Sequence, residues 1–361
     1  MDGSGPSLRH FRSVRSPVRT TRLGPGGEFD RIRSFQGLSL GESGTGGGVG
    51  SSGELPLGPG DDAAWVDGFV FSVDLAVEGI HFRRSWLSLE EVGFRAVAAA
   101  GSDLAAMASE PVGILLALAL PRDLGEEELA QLRRGVGQGC EAVGGPLLGG
   151  DLSASPGPLV LDVTVVGRTS DPVLRSGAEP GDELWVTGGL GASAAAVRIQ
   201  GQGHRPSPAL HRAYARPRPR IQEALWLRER GVLRAMLDLS DGLAGDAGHL
   251  AAASGVAVVL EEDTLPVDPE VGAAGDVSEE EGRRLALHGG EDFELLFAAP
   301  PGSVGPDEVE GFRARFHLPL TRVGRVEAGA GVRLEPQDGS PARPLTEGGF
   351  DHFAPGGGGG G

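Results

Sequence analysis

The sequence predicts a chain of two domains, each of which mixes β-strands with α-helices. Its 361 residues exceed the roughly 100–200 residues that one domain usually contains. Strand and helix patterns alternate in both halves, which is typical of the α/β or α+β class. A polar, proline-containing segment at residues 168–181 separates the halves. We therefore predict an N-terminal domain over residues 27–168 and a C-terminal domain over residues 169–354.

The elements of the N-terminal domain follow from the spacing of apolar residues. Alternation every second residue predicts a strand, and spacing of three or four residues predicts an amphipathic helix. Residues 114–120 are apolar at successive positions, so we expect a strand that is buried on both faces. The predicted strands are residues 69–73, 114–120 and 159–166, and the predicted helices are residues 89–107 and 126–143.

The C-terminal domain shows shorter patterns of the same two kinds. Its predicted strands are residues 184–187, 236–239, 257–260, 294–298 and 321–326, and its predicted helices are residues 192–200 and 243–253. We expect the four tryptophans to serve packing alone. Cys140 lies on the apolar stripe of a predicted helix, where a cysteine usually behaves as a small apolar residue.

Three segments depart from a globular composition. Residues 1–26 contain several arginines among Ser, Pro and Gly, and we predict a disordered arm that is solvated, although a basic arm could also contact an anionic partner. Residues 355–361 form a glycine tail. Residues 41–60 are rich in Gly and Ser, which leaves open whether they form a flexible lid or an ordinary loop.

The composition excludes several classes of function. The formal net charge is −18, which argues against sequence-independent binding of nucleic acid. All 32 basic residues are arginines, so a lysine Schiff base and a P-loop lysine are both excluded. The single cysteine excludes a disulfide framework and a cysteine-rich metal site. No apolar run reaches the ~18 residues of a membrane helix, and we predict a cytoplasmic protein without membrane association.

Acidic residues next to glycines carry most of the chemical information. We interpret them as turn residues that converge on one cleft, where several carboxylates repel each other unless cations neutralise them. Oxygen ligands without His or Cys clusters favour Mg²⁺, which proteins commonly share with substrate phosphates. Neighbouring glycines let backbone amides approach phosphate oxygens. The pattern therefore predicts metal-assisted chemistry on a phosphorylated ligand, although each Asp-Gly pair alone is usually a turn former.

The order of these motifs resembles one family closely. The chain contains GDDAA at residues 60–64, VEGIHF at 77–82, SDLAAM at 102–107, GGD at 149–151, SDGL at 240–243 and GGEDFELLF at 289–297. This series resembles the bacterial thiamine-monophosphate kinases of the AIR-synthetase-like ATP-binding superfamily. The resemblance covers about residues 27–353. It implies transfer of the γ-phosphoryl group of ATP to thiamine phosphate, two α/β domains, and a homodimer in which two N-terminal sheets form a barrel.

The resemblance also implies roles for individual residues. The metal ligands would be Asp62, Ser72, Asp74, Asp103, Asp151, Asp238 and Asp241. The ATP contacts would be Gly150, Asp151, Arg175 and Ser240, and the contacts to thiamine phosphate would be His81, Glu291 and Phe350. The acceptor phosphate is already anionic, so we expect direct in-line transfer without a covalent nucleophile or a general base.

Plainer interpretations of these residues remain open. His81 could be a turn histidine, Phe350 a core residue, and Glu291 a turn cap, and for Asp292 we favour the cap. The chain has Val73 where the family usually has a hydroxyl residue, so a side-chain ligand is missing there. Selenophosphate synthetases and hydrogenase-maturation relatives would need a reactive cysteine that the matching segments lack. A non-catalytic sensor of thiamine phosphate or nucleotide is the alternative, and metal-dependent ATP turnover would separate the two.

Overall fold

A computed structural model of the chain describes residues 19–22, 57–273 and 277–345. Phe350, the glycine tail and most of the Gly/Ser-rich segment 41–60 lie outside the described residues. The described residues form two units, each built on one sheet. Residues 169–182 connect the two sheets.

The N-terminal unit is a five-stranded sheet covered on one face by two helices. The strand order is β1-β2-β5-β3-β4, and all neighbours are antiparallel except β3 and β4. Val70, Ile114 and Leu161 point to the covered face and are fully buried. The elements are β1 (Ala64–Val66), β2 (Phe69–Val77), α1 (Leu89–Ala106), β3 (Glu110–Pro121), α2 (Glu126–Val143), β4 (Leu147–Ser155) and β5 (Val160–Arg168).

Local signals position helices α1 and α2 against each other. Ser88 and Glu91 form a capping box that begins α1. Gly144 ends α2 in the left-handed conformation at φ 85°. A Cβ at Gly135 would lie 1.9 Å from the carbonyl oxygen of Glu90, so the close approach of the two helices requires glycine there.

The second face of the N-terminal sheet is left uncovered by the described residues. Val73 is 63% exposed, Leu75 is 47% exposed and Leu115 is 40% exposed. The prediction that residues 114–120 are buried on both faces is therefore wrong for the single chain. The physical reason is that α1 and α2 both pack on the same face, so alternate apolar residues of β2 and β3 remain in contact with solvent.

The C-terminal unit is a seven-stranded sheet with the order β12-β11-β8-β10-β6-β9-β7. Its neighbours are antiparallel except β8 and β11. The strands are β6 (Glu183–Thr187), β7 (Ala235–Asp238), β8 (Ala257–Glu261), β9 (Leu295–Ala299), β10 (Leu320–Glu327), β11 (Gly331–Glu335) and β12 (Arg343–Pro344). The helices are α3 (Ala192–Gly201), α4 (Pro208–Ala215), α5 (Ile221–Glu229), α6 (Leu243–Ser254), α7 (Pro269–Ala273), α8 (Glu279–His288) and α9 (Pro306–Phe316), and a 3₁₀ turn covers Glu262–Thr264.

Most predicted elements are present with boundaries shifted by a few residues. Helix α2 has the predicted bounds, and Trp65, Trp185 and Trp226 are buried packing residues as expected. Cys140 is half-buried and packs against the core, which agrees with its prediction as a small apolar residue. The patterns did not predict the strands β1, β4, β11 and β12, or the helices α4, α5, α7, α8 and α9.

Four residues of the predicted disordered arm are described, three of them exposed and one buried. The backbone of Arg19 pairs with Leu57, and Thr21 is buried. The structure therefore differs from the prediction at residues 19–22, because this segment pairs with backbone next to the site. None of the helices within the described ranges is long and apolar enough to cross a membrane.

Candidate active site

Three carboxylates from both units meet in one cluster. Asp62 lies in the turn before β1, Asp103 lies near the end of α1, and Asp238 ends β7. One oxygen from each carboxylate lies within 4.8 Å of the others. The cluster therefore forms only when the N-terminal and C-terminal units are packed together.

Polar neighbours fix the cluster in place. The hydroxyl of Ser72 donates to Asp103 Oδ2 at 2.5 Å, and Nη2 of Arg175 donates to Asp62 Oδ1 at 2.8 Å. The preceding Asp61 accepts hydrogen bonds from the backbone N–H of Arg175 at 3.1 Å and from the Thr21 hydroxyl at 2.8 Å. Asp61 thus links the turn of Asp62 to the segment of Arg175 and to Thr21.

The cluster holds protons when its charges are not neutralised. Burial, followed by the charge of Asp62, raises the pKa of Asp238 to about 7. Burial and the charge of Asp238 raise the pKa of Asp103 well above its usual range. Burial and the adjacent Asp62 raise the pKa of Asp61 to about 6. Such shifts show that the site favours a positive partner over three free negative charges.

The donor set fits a divalent cation such as Mg²⁺. Asp62 Oδ2 and Arg175 Nε are buried and have no hydrogen-bond partner among the described residues. Buried polar atoms of this kind are rare in native structures and often mark the place of a ligand. The acidic donors are carboxylate oxygens, the type that Mg²⁺ prefers. Asp62, Asp103 and Asp238 are therefore the residues that could hold a metal.

A second acidic group lies at the start of α6. Asp241, Asp246 and His249 each place one potential ligand atom within 4.8 Å of the others. Asp246 Oδ2 accepts a hydrogen bond from the backbone N–H of Asp241 at 3.1 Å. The sequence analysis predicted Asp241 but missed Asp246 and His249. Their spacing of three residues on one helix was the signal that could have indicated them.

Asp74, His81 and Glu291 lie on the side of the cleft near α1. Asp74 is half-buried in β2, and burial is the main cause that raises its pKa, with Arg95 acting against it and Glu291 adding to it. His81 Nδ1 accepts a hydrogen bond from the backbone N–H of Val77 at 3.0 Å. The neutral tautomer of His81 therefore carries its proton on Nε2.

Ser240 joins two of the predicted motifs. Its carbonyl oxygen accepts a hydrogen bond from the backbone N–H of Glu291 at 2.8 Å. A Cβ at Gly290 would lie 2.4 Å from that same carbonyl oxygen, so glycine is required for the close approach. The SDGL and GGEDFELLF segments therefore form one continuous wall of the cleft.

Gly150 and Asp151 are not brought to the acidic cluster within the single chain. Both are exposed residues of β4, where Asp151 pairs with Ala117 of β3. Alternation along the strand places Asp151 on the uncovered face of the sheet, whereas Ser72 lies on the covered face. Gly150 also has a structural role, since a Cβ there would lie 1.7 Å from the carbonyl oxygen of Leu116.

The prediction that the acidic residues occupy turns is correct only in part. Asp62 and Asp241 follow it, but Asp74 and Asp151 lie within strands and Asp103 lies within helix α1. The reason is tertiary pairing, which extends β2 and forms β4 despite residues that disfavour strands. Phe350 lies outside the described residues.

Asp292 has a structural role that differs from a local turn cap. Its Oδ2 accepts a hydrogen bond from the backbone N–H of Gly191 at 2.8 Å, and Gly191 precedes helix α3. The side chain therefore caps a helix about 100 residues away in sequence. The cap that the sequence predicted, on the turn before β9, is therefore wrong in its location, because the side chain reaches the start of α3 instead.

Comparison with known proteins identifies the family of both domains. Residues 60–169 match the N-terminal domain of AIR synthase related proteins, and residues 179–336 match the C-terminal domain. A thiamine-monophosphate kinase of Rhodopirellula baltica is 35% identical over 295 residues, which cover 77% of this chain and 86% of that protein. The chain belongs to the thiamine-monophosphate kinase family. As a member of this family it is a kinase, and the alternative of a non-catalytic sensor is not favoured.

Two further comparisons extend the match to about nine-tenths of the chain. The thiamine-monophosphate kinase of Escherichia coli K12 is 32% identical over 338 residues, covering 90% of this chain and 96% of that kinase. A solved structure described as AaThiL complexed with AMPPCP and TMP has a TM-score of 0.76 and 30% identity, and covers 91% of this chain and 97% of that one. The two-domain fold of this thiamine-monophosphate kinase family member is therefore the fold that the sequence predicted.

Proposed function

We propose that the chain transfers the γ-phosphoryl group of ATP to thiamine phosphate and forms thiamine diphosphate and ADP in the cytoplasm. The observation that carries this proposal is the cluster of Asp62, Asp103 and Asp238, which joins both units. Family membership supports the type of reaction, and the cluster supports the location of the active site. The buried and unsatisfied Asp62 Oδ2 and Arg175 Nε support binding of a cation and an anion at this place.

Asp62, Asp103 and Asp238 would hold Mg²⁺, with Ser72, Asp74 and Asp241 at the edges of the same cleft. When bound, Mg²⁺ would neutralise phosphate charge and allow two polyanions to approach each other. Ser72 orients Asp103 through its hydroxyl, and Asp246 orients Asp241 through the backbone. These contacts keep the carboxylates in fixed positions before substrates arrive.

Arg175 would contact the nucleotide phosphates while it remains next to Asp62. Its guanidinium is planar and offers donors in several directions, so one edge can hold Asp62 and another can reach an anion. Ser240 would complete the nucleotide side of the cleft. No general base is needed, because the attacking oxygen of thiamine phosphate already carries negative charge.

His81 and Glu291 would contact thiamine phosphate on the side of the cleft next to Asp74. His81 can donate a hydrogen bond from Nε2 to a phosphate oxygen, given the tautomer that Val77 imposes. Glu291 can accept a hydrogen bond from the substrate. The contact between Phe350 and the thiamine moiety stays a prediction.

We further propose a homodimer formed by the uncovered face of the N-terminal sheet. This face exposes Phe71, Val73 and Leu75 of β2 and Leu115 of β3, and its edge strand β4 is exposed along eight of its nine residues. Contiguous apolar faces of this kind usually mark protein interfaces. Asp151 lies on this face, so its predicted role as a metal and ATP ligand belongs to the dimer.

The test is to incubate the purified protein with ATP, Mg²⁺ and thiamine phosphate and to measure thiamine diphosphate. Control reactions replace Mg²⁺ with EDTA and replace thiamine phosphate with thiamine. Product that requires both Mg²⁺ and the monophosphate supports the proposal. ATP consumption with thiamine but not with thiamine phosphate would assign a different acceptor and overturn it.

A further inference from the structure

Arg95 is a buried cation between the two units that the sequence analysis did not select. It lies on helix α1 and is 5% exposed. Its Nη2 forms an ion pair with Glu291 of the C-terminal unit. Its Nη1 donates to the carbonyl oxygen of Tyr214 in α4, and its guanidinium carbon lies 4.3 Å from the centroid of the Tyr214 ring. One side chain thus joins α1, α4 and the loop of Glu291.

Tyr214 continues this connection to His81. Its side chain is almost fully buried, and its hydroxyl donates to the carbonyl oxygen of His81 at 3.1 Å. Burial raises the pKa of Tyr214 to about 12, so the phenol keeps its proton at neutral pH and remains a donor. Tyr214 is therefore packed by its ring against Arg95 and is hydrogen-bonded by its hydroxyl to the turn of His81.

The loop of Glu291 needs an external support of this kind. Glu291 has a φ of 70° and Phe293 has a φ of 51°, both in the left-handed region that residues other than glycine seldom adopt. Backbone hydrogen bonds to Ser240 and Leu239 hold the chain of this loop. The Glu291 side chain is held by Arg95, and its carboxylate is therefore fixed relative to α1.

We infer that Arg95 and Tyr214 are positioning residues that hold Glu291 and His81 at fixed places for binding of the phosphorylated acceptor. This inference rests on the proposed function, because His81 and Glu291 are acceptor contacts only in that proposal. The connection runs from Glu291 through Arg95 and Tyr214 to His81, and each link is a contact of the structure. Of the proposed nucleotide contacts, Arg175 takes no part in these links, and Ser240 touches Glu291 through its backbone carbonyl oxygen and not through its side chain.

The test compares Tyr214→Phe, Arg95→Gln and Arg95→Lys with the wild type. Tyr214→Phe removes the hydroxyl and keeps the ring, so we expect the KM for thiamine phosphate to rise about three- to tenfold with an unchanged KM for ATP. Arg95→Gln is expected to raise the KM for thiamine phosphate by about tenfold or more. Arg95→Lys keeps the positive charge without the planar fork of donors, so its KM for thiamine phosphate is expected to lie between those of the wild type and Arg95→Gln.

Arg216→Gln is the matched control. Arg216 also pairs with a residue of α1, Glu90, and its guanidinium carbon also lies over an aromatic ring, that of Phe94 at 4.9 Å. Neither its contact with Glu90 nor its contact with Phe94 involves His81 or Glu291. We expect this variant to leave both KM values unchanged.

Binding of thiamine phosphate is measured by calorimetry in parallel with turnover. Equal changes of both KM values, or a lower melting temperature with unchanged KM and Kd for thiamine phosphate, would overturn the positioning role. If Arg95→Gln fails to fold, Tyr214→Phe decides alone. If the wild type binds thiamine phosphate without transfer, the proposed function fails, while the Kd values still decide the positioning role. A wild type that neither binds nor converts thiamine phosphate overturns both.

Discussion

Arg175 and Asp62 form an ion pair in which Nη2 lies 2.8 Å from Oδ1. Arg175 belongs to the segment that connects the two units, and the side chain of Asp62 is completely buried beside β1. The pair therefore supplies one positive charge to a cluster of three carboxylates. It also leaves Asp62 Oδ2 and Arg175 Nε available for other ligands, since neither atom has a hydrogen-bond partner in the described ranges.

Arg175→Gln should weaken ATP binding and destabilise the fold at the same time. Removing one partner of a buried ion pair leaves the other charge uncompensated, which costs about 3–5 kcal/mol when burial is complete. We expect the KM for ATP to rise by about tenfold or more and the melting temperature to fall. Steady-state kinetics and thermal unfolding measure these changes. Arg175→Lys is the control. It keeps the charge but not the planar fork of donors, so its melting temperature should stay near that of the wild type while its KM for ATP still rises.

Asp103→Asn should abolish transfer and leave the metal-free fold intact. Burial and the neighbouring carboxylates already favour the protonated form of Asp103, and asparagine resembles that form. We expect kcat to fall by about 100-fold or more, because a metal ligand is lost. The melting temperature measured in EDTA should stay within about 2 °C of the wild type. Near-normal turnover would contradict the assignment of Asp103 as a ligand.

The stabilising effect of Mg²⁺ should depend on pH in a defined direction. The folded, metal-free protein holds the proton of Asp238 up to about pH 7, whereas the unfolded chain releases it near 3.8. This group therefore lowers the free energy of unfolding as pH rises between those values. Mg²⁺ binds the charged form, so its affinity rises over the same range.

We expect Mg²⁺ to raise the melting temperature by roughly 5 °C at pH 8 and by less at pH 5.5. Differential scanning calorimetry with Mg²⁺ or EDTA at each pH measures the difference. Asp238→Asn is the control, and should reduce the pH dependence of the Mg²⁺ effect. An equal effect of Mg²⁺ at both pH values in the wild type would contradict the prediction.

Leu115→Glu should separate the proposed dimer into single chains. Leu115 is exposed on the uncovered face of the N-terminal sheet, where a charge would be buried by a second copy without a partner. We expect the dimer dissociation constant to rise by about 100-fold or more. Light scattering after size-exclusion chromatography measures the mass. Ile80→Glu is the control, because Ile80 is also an exposed apolar residue but lies in a turn after β2.

The sequence predicted the elements with strong local signals and missed those that depend on distant partners. Helix α2 has regular apolar spacing, three acidic residues in its first turn and a glycine at its end, so its bounds were predicted correctly. Strand β4 contains Gly149, Gly150 and Asp151, which disfavour strands, and it forms because it pairs with β3. Helices α8 and α9 were missed although Ser278 and Pro306 were valid start signals.

The candidate site shows the same division. Motif order indicated that Asp62, Asp103 and Asp238 belong to one site, and the structure brings their carboxylates together. Arg95 and Tyr214 carry no local signal, because an arginine on a helix and a tyrosine in an arginine-rich stretch are common surface patterns. Their burial follows from the packing of α1 against α4, which neither helix determines alone.

The outer edge of β4 has a consequence for the folding of the chain during its synthesis. The N-terminal sheet is complete before the ribosome has synthesised the second half, and domains generally fold in that order. No strand of the described residues pairs with the outer edge of β4, and such an edge next to an apolar face can recruit any other exposed strand. Neighbouring nascent copies on one messenger would be the nearest matching sheets. We therefore expect correct assembly of the dimer to compete with misassociation during synthesis.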